Sequence, residues 1–234
     1  MGRRVFVTGG TGALGSAVTR RFLEDGHSVA VTCRHEAEVA ELRTTLGDLD
    51  SNLAVIEADV TDDDSFGRAL AEFHDQLGSV EALVHLVGAW HGGEPVQDQS
   101  LQTWRSITDL NLTSAFLCSH AVLPEMLDGG WGRVVLVSSR TAREGRNGQS
   151  AYAVAKEGVA TLAEVIADEC CGTGVTANTI APSVLDTPAN RRSMPSADFT
   201  RWVQPDVAAA MIAFLVSEEA GTLRGAWLPV FGSV

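Results

Sequence analysis

Three residues in the second half of this sequence could move a proton between them. Tyr152 and Lys156 stand at i and i+4, so on a helix they share one face. Ser139 lies thirteen residues before Tyr152, and Asn111 sits in a long stretch further upstream. A phenol titrates at about 10, a poor acid and base at neutral pH until a nearby cation stabilises its anion. Lys156 can supply that cation. A serine hydroxyl can supply a donor to an oxygen on which charge develops. Helices produce Tyr-x-x-x-Lys pairs freely, so the spacing alone says little. The composition says more: Tyr152 is the one tyrosine, and Lys156 the one lysine against 16 arginines. Random placement would put that lysine four after that tyrosine roughly once in 230.

A second cluster opens the chain. Residues 7–15 read Val-Thr-Gly-Gly-Thr-Gly-Ala-Leu-Gly, and Gly10, Gly12 and Gly15 form G-x-G-x-x-G between a strand and a helix. That pattern gives a tight turn, close backbone approach to a pyrophosphate, and a helix N-terminus facing its charge. Gly9, Thr11, Ala13 and Leu14 complete the turn. In dinucleotide-binding sheets an acidic residue at the end of the second strand holds the ribose 2′-hydroxyl, whereas an arginine suits a 2′-phosphate. The matching position is Cys33, followed by Arg34 and His35. A carboxylate is missing there and a fixed cation is adjacent, which favours NADP(H) over NAD. Asp59 and Val60 close the third strand and either reach the adenine end or, for Asp59, cap the next helix.

These residues need elements to carry them. Buried β-branched runs predict strands over 4–8, 28–32, 53–57, 82–86, 133–138, 176–180 and 226–230. Amphipathic stretches predict helices over 14–25, 37–46, 63–77, 101–128, 151–171 and 205–217. Asp62 or Asp63, Ser100 and Ser150 are the expected N-caps. This alternation describes one α/β domain over 1–234, a doubly wound seven-stranded parallel sheet with helices on both faces. Residues 181–204 break the rhythm with three prolines and little periodicity. Following the sixth strand, this segment falls at the carboxyl edge of the sheet and reads as a substrate lid over about 182–204.

Composition excludes other classes. A formal charge of −13 argues against nucleic acid or an acidic lipid surface. No apolar run of about 18 residues predicts a membrane span, and the opening residues lack the apolar core of a secretory signal. Cys33, Cys118, Cys170 and Cys171 lack metal spacing and read as free thiols of a cytoplasmic protein. The histidines are scattered, so no metal site is expected.

With these residues in view, the chain resembles the short-chain dehydrogenase/reductase family over nearly its whole length. The resemblance rests on the Thr8–Gly15 turn, Asp59-Val60, Asn111, Ser138-Ser139, Tyr152-x-x-x-Lys156 and Asn178-x-Ile180-Ala181-Pro182. It implies a Rossmann-like fold and hydride transfer between a nicotinamide and a carbonyl or alcohol. In it Tyr152 acts as acid or base, Lys156 binds the nicotinamide ribose and lowers the Tyr152 pKa, and Ser139 binds the carbonyl oxygen. Asn111 holds a water behind Lys156. Val87, Gly88, Pro182, Val184 and Thr187 join the cofactor set. A homodimer or homotetramer follows from the same resemblance, through the helices over 101–128 and 151–171. Three places depart from the family pattern: Ala13 replaces a glycine, His85-Leu86-Val87-Gly88 replaces Asn-Asn-Ala-Gly, and Ser183 follows Pro182 where glycine is usual.

The segments around Trp90 and over 185–202 also resemble dihydropteridine reductase, in which a tryptophan loop lies beside a flat ring. Trp90, His91 and Trp202 are therefore candidate substrate contacts, although the tryptophans could equally pack the lid onto the body. That branch lacks the serine at Ser139. Against these enzyme readings stands a cofactor-binding sensor on the same fold, which would bind NADP(H) without turnover.

Overall fold

A computed structural model describes residues 2–145 and 147–233, apart from the side chains of Glu36 and Asp50. Seven strands form one parallel sheet: β1 (Arg4–Thr8), β2 (Ser28–Cys33), β3 (Leu53–Glu57), β4 (Ala82–His85), β5 (Gly132–Val137), β6 (Val175–Pro182) and β7 (Trp227–Val230). Their order is β3-β2-β1-β4-β5-β6-β7. Strand order reverses between β1 and β4, and the carboxyl ends of such strands open a crevice where ligands bind. Both faces are apolar because both are covered. Phe6, Leu83 and Val134 pack on one side with α3 (Asp63–Leu77), α5 (Ser114–Gly129) and α7 (Ser150–Glu169). Val5, Val7 and Val84 pack on the other with α1 (Ala13–Glu24), α2 (Glu36–Leu46) and α9 (Pro205–Val216).

The sequence-based bounds for β1, β3 and α3 coincide with the structure, and Asp62 caps α3 through the Ser65 N–H. Four expectations change. The helix expected over 101–128 is two helices, α4 (Leu101–Thr108) and α5, joined by a π turn over Asp109–Thr113. Hydrophobic spacing cannot register a turn widened by one residue. Ser150 does not cap α7; Gln149 holds that position, and the Ser150 hydroxyl donates to Gln99 Oε1 at 2.7 Å. A short helix, α6 (Arg140–Glu144), follows β5. The segment over 182–204 contains structure of its own, α8 (Pro188–Ser193) and a 3-10 turn over Phe199–Arg201.

This segment is also cross-linked internally. Arg191 donates to both oxygens of Asp186 at 2.5 and 2.7 Å, and Gln204 adds a third bond to that carboxylate. Asn178, from the Asn-x-Ile-Ala-Pro stretch, clamps the approach to β7 by donating to the Leu223 carbonyl and accepting from the Ala226 N–H. Among the described residues, no helix is long and apolar enough to cross a membrane.

Candidate active site

The site forms where β1, β4, β5 and β6 end. The turn after β1 is closed by contact: a Cβ on Gly15 would lie 2.1 Å from the Gly9 carbonyl oxygen, so only glycine lets α1 approach the strand. Gly12 opens α1 without a side-chain cap, and its first turn carries no acidic residue. The leading N–H groups of that helix thus lack a side-chain partner where an anion would sit. Gly10 is buried, whereas Gly12 and Ala13 are exposed, with Thr11 and Leu14 half-buried beside them. Val87, after β4, lies against Gly9.

The catalytic candidates converge from three elements. Ser139, two residues past β5, is the N-cap of α6, its hydroxyl accepting from the Thr141 N–H at 3.2 Å. Tyr152, in the first turn of α7, faces the Ser139 hydroxyl, which acts on its phenol. Burial raises the phenol pKa, and Ser139 opposes that rise. Lys156, on the same face of α7, is 5% exposed, and its ammonium donates to the Val137 carbonyl at 2.9 Å. Burial alone pulls the Lys156 pKa down to about 8. Its Nζ stands 6.0 Å from the centre of the Tyr152 ring.

Asn111 lies in the π turn, fully buried. Its amide donates to the carbonyls of Ile107 and Ala89 and accepts from the Ala89 N–H, tying the loop after β4 to the helix. Gly88 makes room for this: a Cβ there would lie 2.6 Å from Asn111 Oδ1 and 2.9 Å from Lys156 Nζ. The glycine is what lets loop, amide and ammonium meet.

The departure at His85 has a clear structural role. The ring is 2% exposed, with Nδ1 at 2.7 Å from the Thr8 hydroxyl and Nε2 at 3.1 Å from the Ser114 hydroxyl. Ser114 donates its hydrogen to the Leu110 carbonyl at 2.7 Å, so it must accept from His85. Nε2 therefore carries the proton and Nδ1 accepts from Thr8. Burial first, then the nearby Lys156 charge, lowers the His85 pKa to about 3. A neutral imidazole thus joins β1 and β4 to the π turn that carries Asn111.

The remaining candidates spread along the same edge. Cys33 is buried at the end of β2, and Arg34 beyond it is exposed. Asp59 accepts from both the hydroxyl and the N–H of Thr61, which lower its pKa, with a smaller contribution from Arg34. Val60 packs into the core. Pro182 ends β6; Val184 accepts from the Val203 N–H at 2.9 Å, and Thr187 caps α8. Trp202 is buried against Phe199, with ring centres 4.8 Å apart. Trp90 is 62% exposed, on a loop held to the start of α7 by the Gly93 N–H to Gly148 carbonyl bond. His91 is half-buried, with Nε2 3.9 Å from Glu94. Sequence reasoning missed one residue here: Glu38 accepts from the Thr11 hydroxyl at 2.9 Å. Its only signal was an acidic residue in the turn of helix after β2.

The sheet order, the glycine turn and the converging serine, tyrosine and lysine belong together in known proteins. The chain belongs to the short-chain dehydrogenase family, whose sequence pattern matches residues 3–197, and it is an oxidoreductase of that family. It is 33% identical over 245 residues to an acetoacetyl-CoA reductase of Allochromatium vinosum, covering 100% of this chain and 99% of the relative. It is 31% identical over 240 residues to the 3-oxoacyl-[acyl-carrier-protein] reductase MabA of Mycobacterium bovis, covering 99% and 92%. The crystal structure of a variant actinorhodin polyketide ketoreductase with NADPH superimposes with a TM-score of 0.89 at 26% identity, covering 99% of this chain and 96% of that one.

Proposed function

We propose that this protein is an NADP(H)-dependent carbonyl reductase in which Tyr152 is the general acid. The observation that carries the reading is the meeting of Ser139, Tyr152 and Lys156 at one point beside Gly88. The residues fit a dinucleotide: the Gly9–Gly15 contact closes the turn, and α1 starts uncapped with backbone donors facing it. Gly9 to Gly15, Val87, Gly88, Lys156, Pro182, Val184 and Thr187 would hold it, with Arg34 at the 2′-phosphate. Bound there, the nicotinamide supplies a hydride to the carbonyl carbon.

The side chains do the rest. Ser139 gives a hydrogen bond to the carbonyl oxygen, and Tyr152 donates its proton as negative charge gathers there. Lys156 keeps a positive charge beneath them at neutral pH, since its pKa stays at about 8. Asn111 and His85 fix the loop and the turn on which Gly88 and Lys156 meet.

The named relatives favour a 3-oxoacyl thioester as substrate. The exposed Trp90 favours adding a flat quinonoid pterin to the panel. Exposed Val154 and Val165 on α7, with Phe116 on α5, support a homo-oligomer through these helices. Free thiols, including the exposed Cys171, suit a reducing cytoplasm. The test is NADPH consumption with acetoacetyl-CoA, other carbonyls and a quinonoid dihydropterin. Turnover should fall at least about a thousandfold in Tyr152→Phe while NADPH binding persists. Binding without turnover on any of these compounds would favour the sensor, and turnover indifferent to Tyr152→Phe would remove the proposed acid.

A further inference from the structure

The carboxylate missing from the end of β2 arrives from the next helix. Glu38, early in α2, accepts the Thr11 hydroxyl hydrogen at 2.9 Å, and both residues are half-buried. Thr11 belongs to the glycine turn, so this bond ties a negative charge to the backbone along which a dinucleotide would lie. Arg34, one residue past β2, brings the opposite charge to the same end of the sheet, where it also acts on Asp59.

The two charges treat the two dinucleotides differently. A 2′-phosphate carries close to two negative charges, whereas a ribose 2′-hydroxyl carries none. A fixed carboxylate therefore penalises one form and leaves the other nearly untouched. The hydrogen bond adds a second effect of the same sign. With its proton held by Glu38, Thr11 presents lone pairs outward, which suit a hydroxyl donor and oppose a phosphate.

We infer that Glu38 is a specificity-determining residue of the cofactor site: through Thr11 it sets a carboxylate against the 2′-phosphate and narrows the preference that Arg34 creates. The inference rests on the cofactor reading above, and the two are separable by experiment. Dissociation constants for NADPH and NADH are measured on the full chain at low ionic strength, in wild type, Glu38→Gln, Glu38→Ala and Arg34→Ala. Glu38→Gln keeps an acceptor for Thr11 and deletes the charge. It should tighten NADPH about tenfold while NADH changes by less than about twofold, and the gain should shrink as salt is added. Glu38→Ala, which deletes charge and bond together, should move the ratio the same way and serves if the glutamine variant folds poorly. An unchanged or reduced NADPH preference in the folded variants overturns the role of Glu38. Loss of NADPH preference in Arg34→Ala supports the cofactor reading, and an unaltered preference there sinks that reading while leaving Glu38 to be judged on its own ratio.

Discussion

The two ends of the sheet handle buried charge in opposite ways. At the amino end, Arg133 is 3% exposed, yet its guanidinium donates to the carbonyls of Gly132, Gly174 and Ser217. The Arg133 and Arg3 guanidinium groups both lie over the Trp131 ring, 4.4 and 3.8 Å from its centre. Arg3 in turn pairs with Glu81 and Glu218. At the carboxyl end, Lys156 is about as buried, and the hydrogen bond found for its ammonium goes to one carbonyl. The pKa values record the difference in Lys156, drawn down to about 8 by burial alone. Arg133 is lowered by burial too, but Glu218 pulls it back. Arg133 is held by three carbonyls beside a carboxylate, whereas burial works against the Lys156 charge and costs stability.

Breaking the closed end should have the largest effect. Arg133→Leu strands three carbonyls and the Trp131 face, and should cost about 3–4 kcal/mol in denaturant unfolding. Activity per folded molecule should stay close to wild type; a large fall in kcat without a stability loss would erase the contrast between the ends.

The open end should respond to pH through His85. Its folded pKa of about 3 lies below the ordinary 6.5, so the unfolded chain binds the proton first. The contribution is whole above the unfolded value and is lost as pH falls from about 6.5 toward 3. Between pH 7.5 and 5 the loss should be about 2 kcal/mol. In His85→Asn the pH dependence over that range should flatten, as followed by urea midpoints; an equally steep fall would assign it to other groups.

Lys156 should give the smallest effect and the opposite sign. Its folded pKa is also depressed, so the burial penalty is full below about 8 and fades as pH rises toward the ordinary 10.5. Lys156→Met should raise stability by about 1 kcal/mol at pH 7, the relief from burial being offset by the lost Val137 bond. The gain should disappear near about pH 9 and reverse by about pH 10, in a protein without reductase activity. A variant less stable than wild type at pH 7 would mean that the ammonium supports the fold after all.

Local chemistry explains what could be read in advance. β1, β3 and α3 were legible because each carries a strong signal: short apolar runs with β-branched residues for the strands, and Asp62 capping the helix. The glycine turn and Tyr152-x-x-x-Lys156 were legible because their spacing is their chemistry. The π turn was not, since one extra residue leaves the apolar spacing of α4 and α5 unchanged to the eye. Nor were the pairings of Thr11 with Glu38, or of His85 with Thr8 and Ser114, which join residues far apart in sequence. The lid segment looked irregular because its order comes from side chains bonding one another, as Asp186 does with Arg191 and Gln204.

The chain of bonds through His85 has a polarity. A backbone carbonyl, that of Leu110, can only accept, so the Ser114 hydrogen points at it, the imidazole hydrogen points at Ser114, and the Thr8 hydrogen points at the imidazole. No member can reverse alone. Turning the ring over would break both of its bonds and leave the buried Thr8 hydroxyl without its acceptor. The imidazole behaves as a vane held by the last carbonyl in the row. A magnetic-resonance spectrum should show it as a single tautomer, protonated on Nε2, across the whole neutral range.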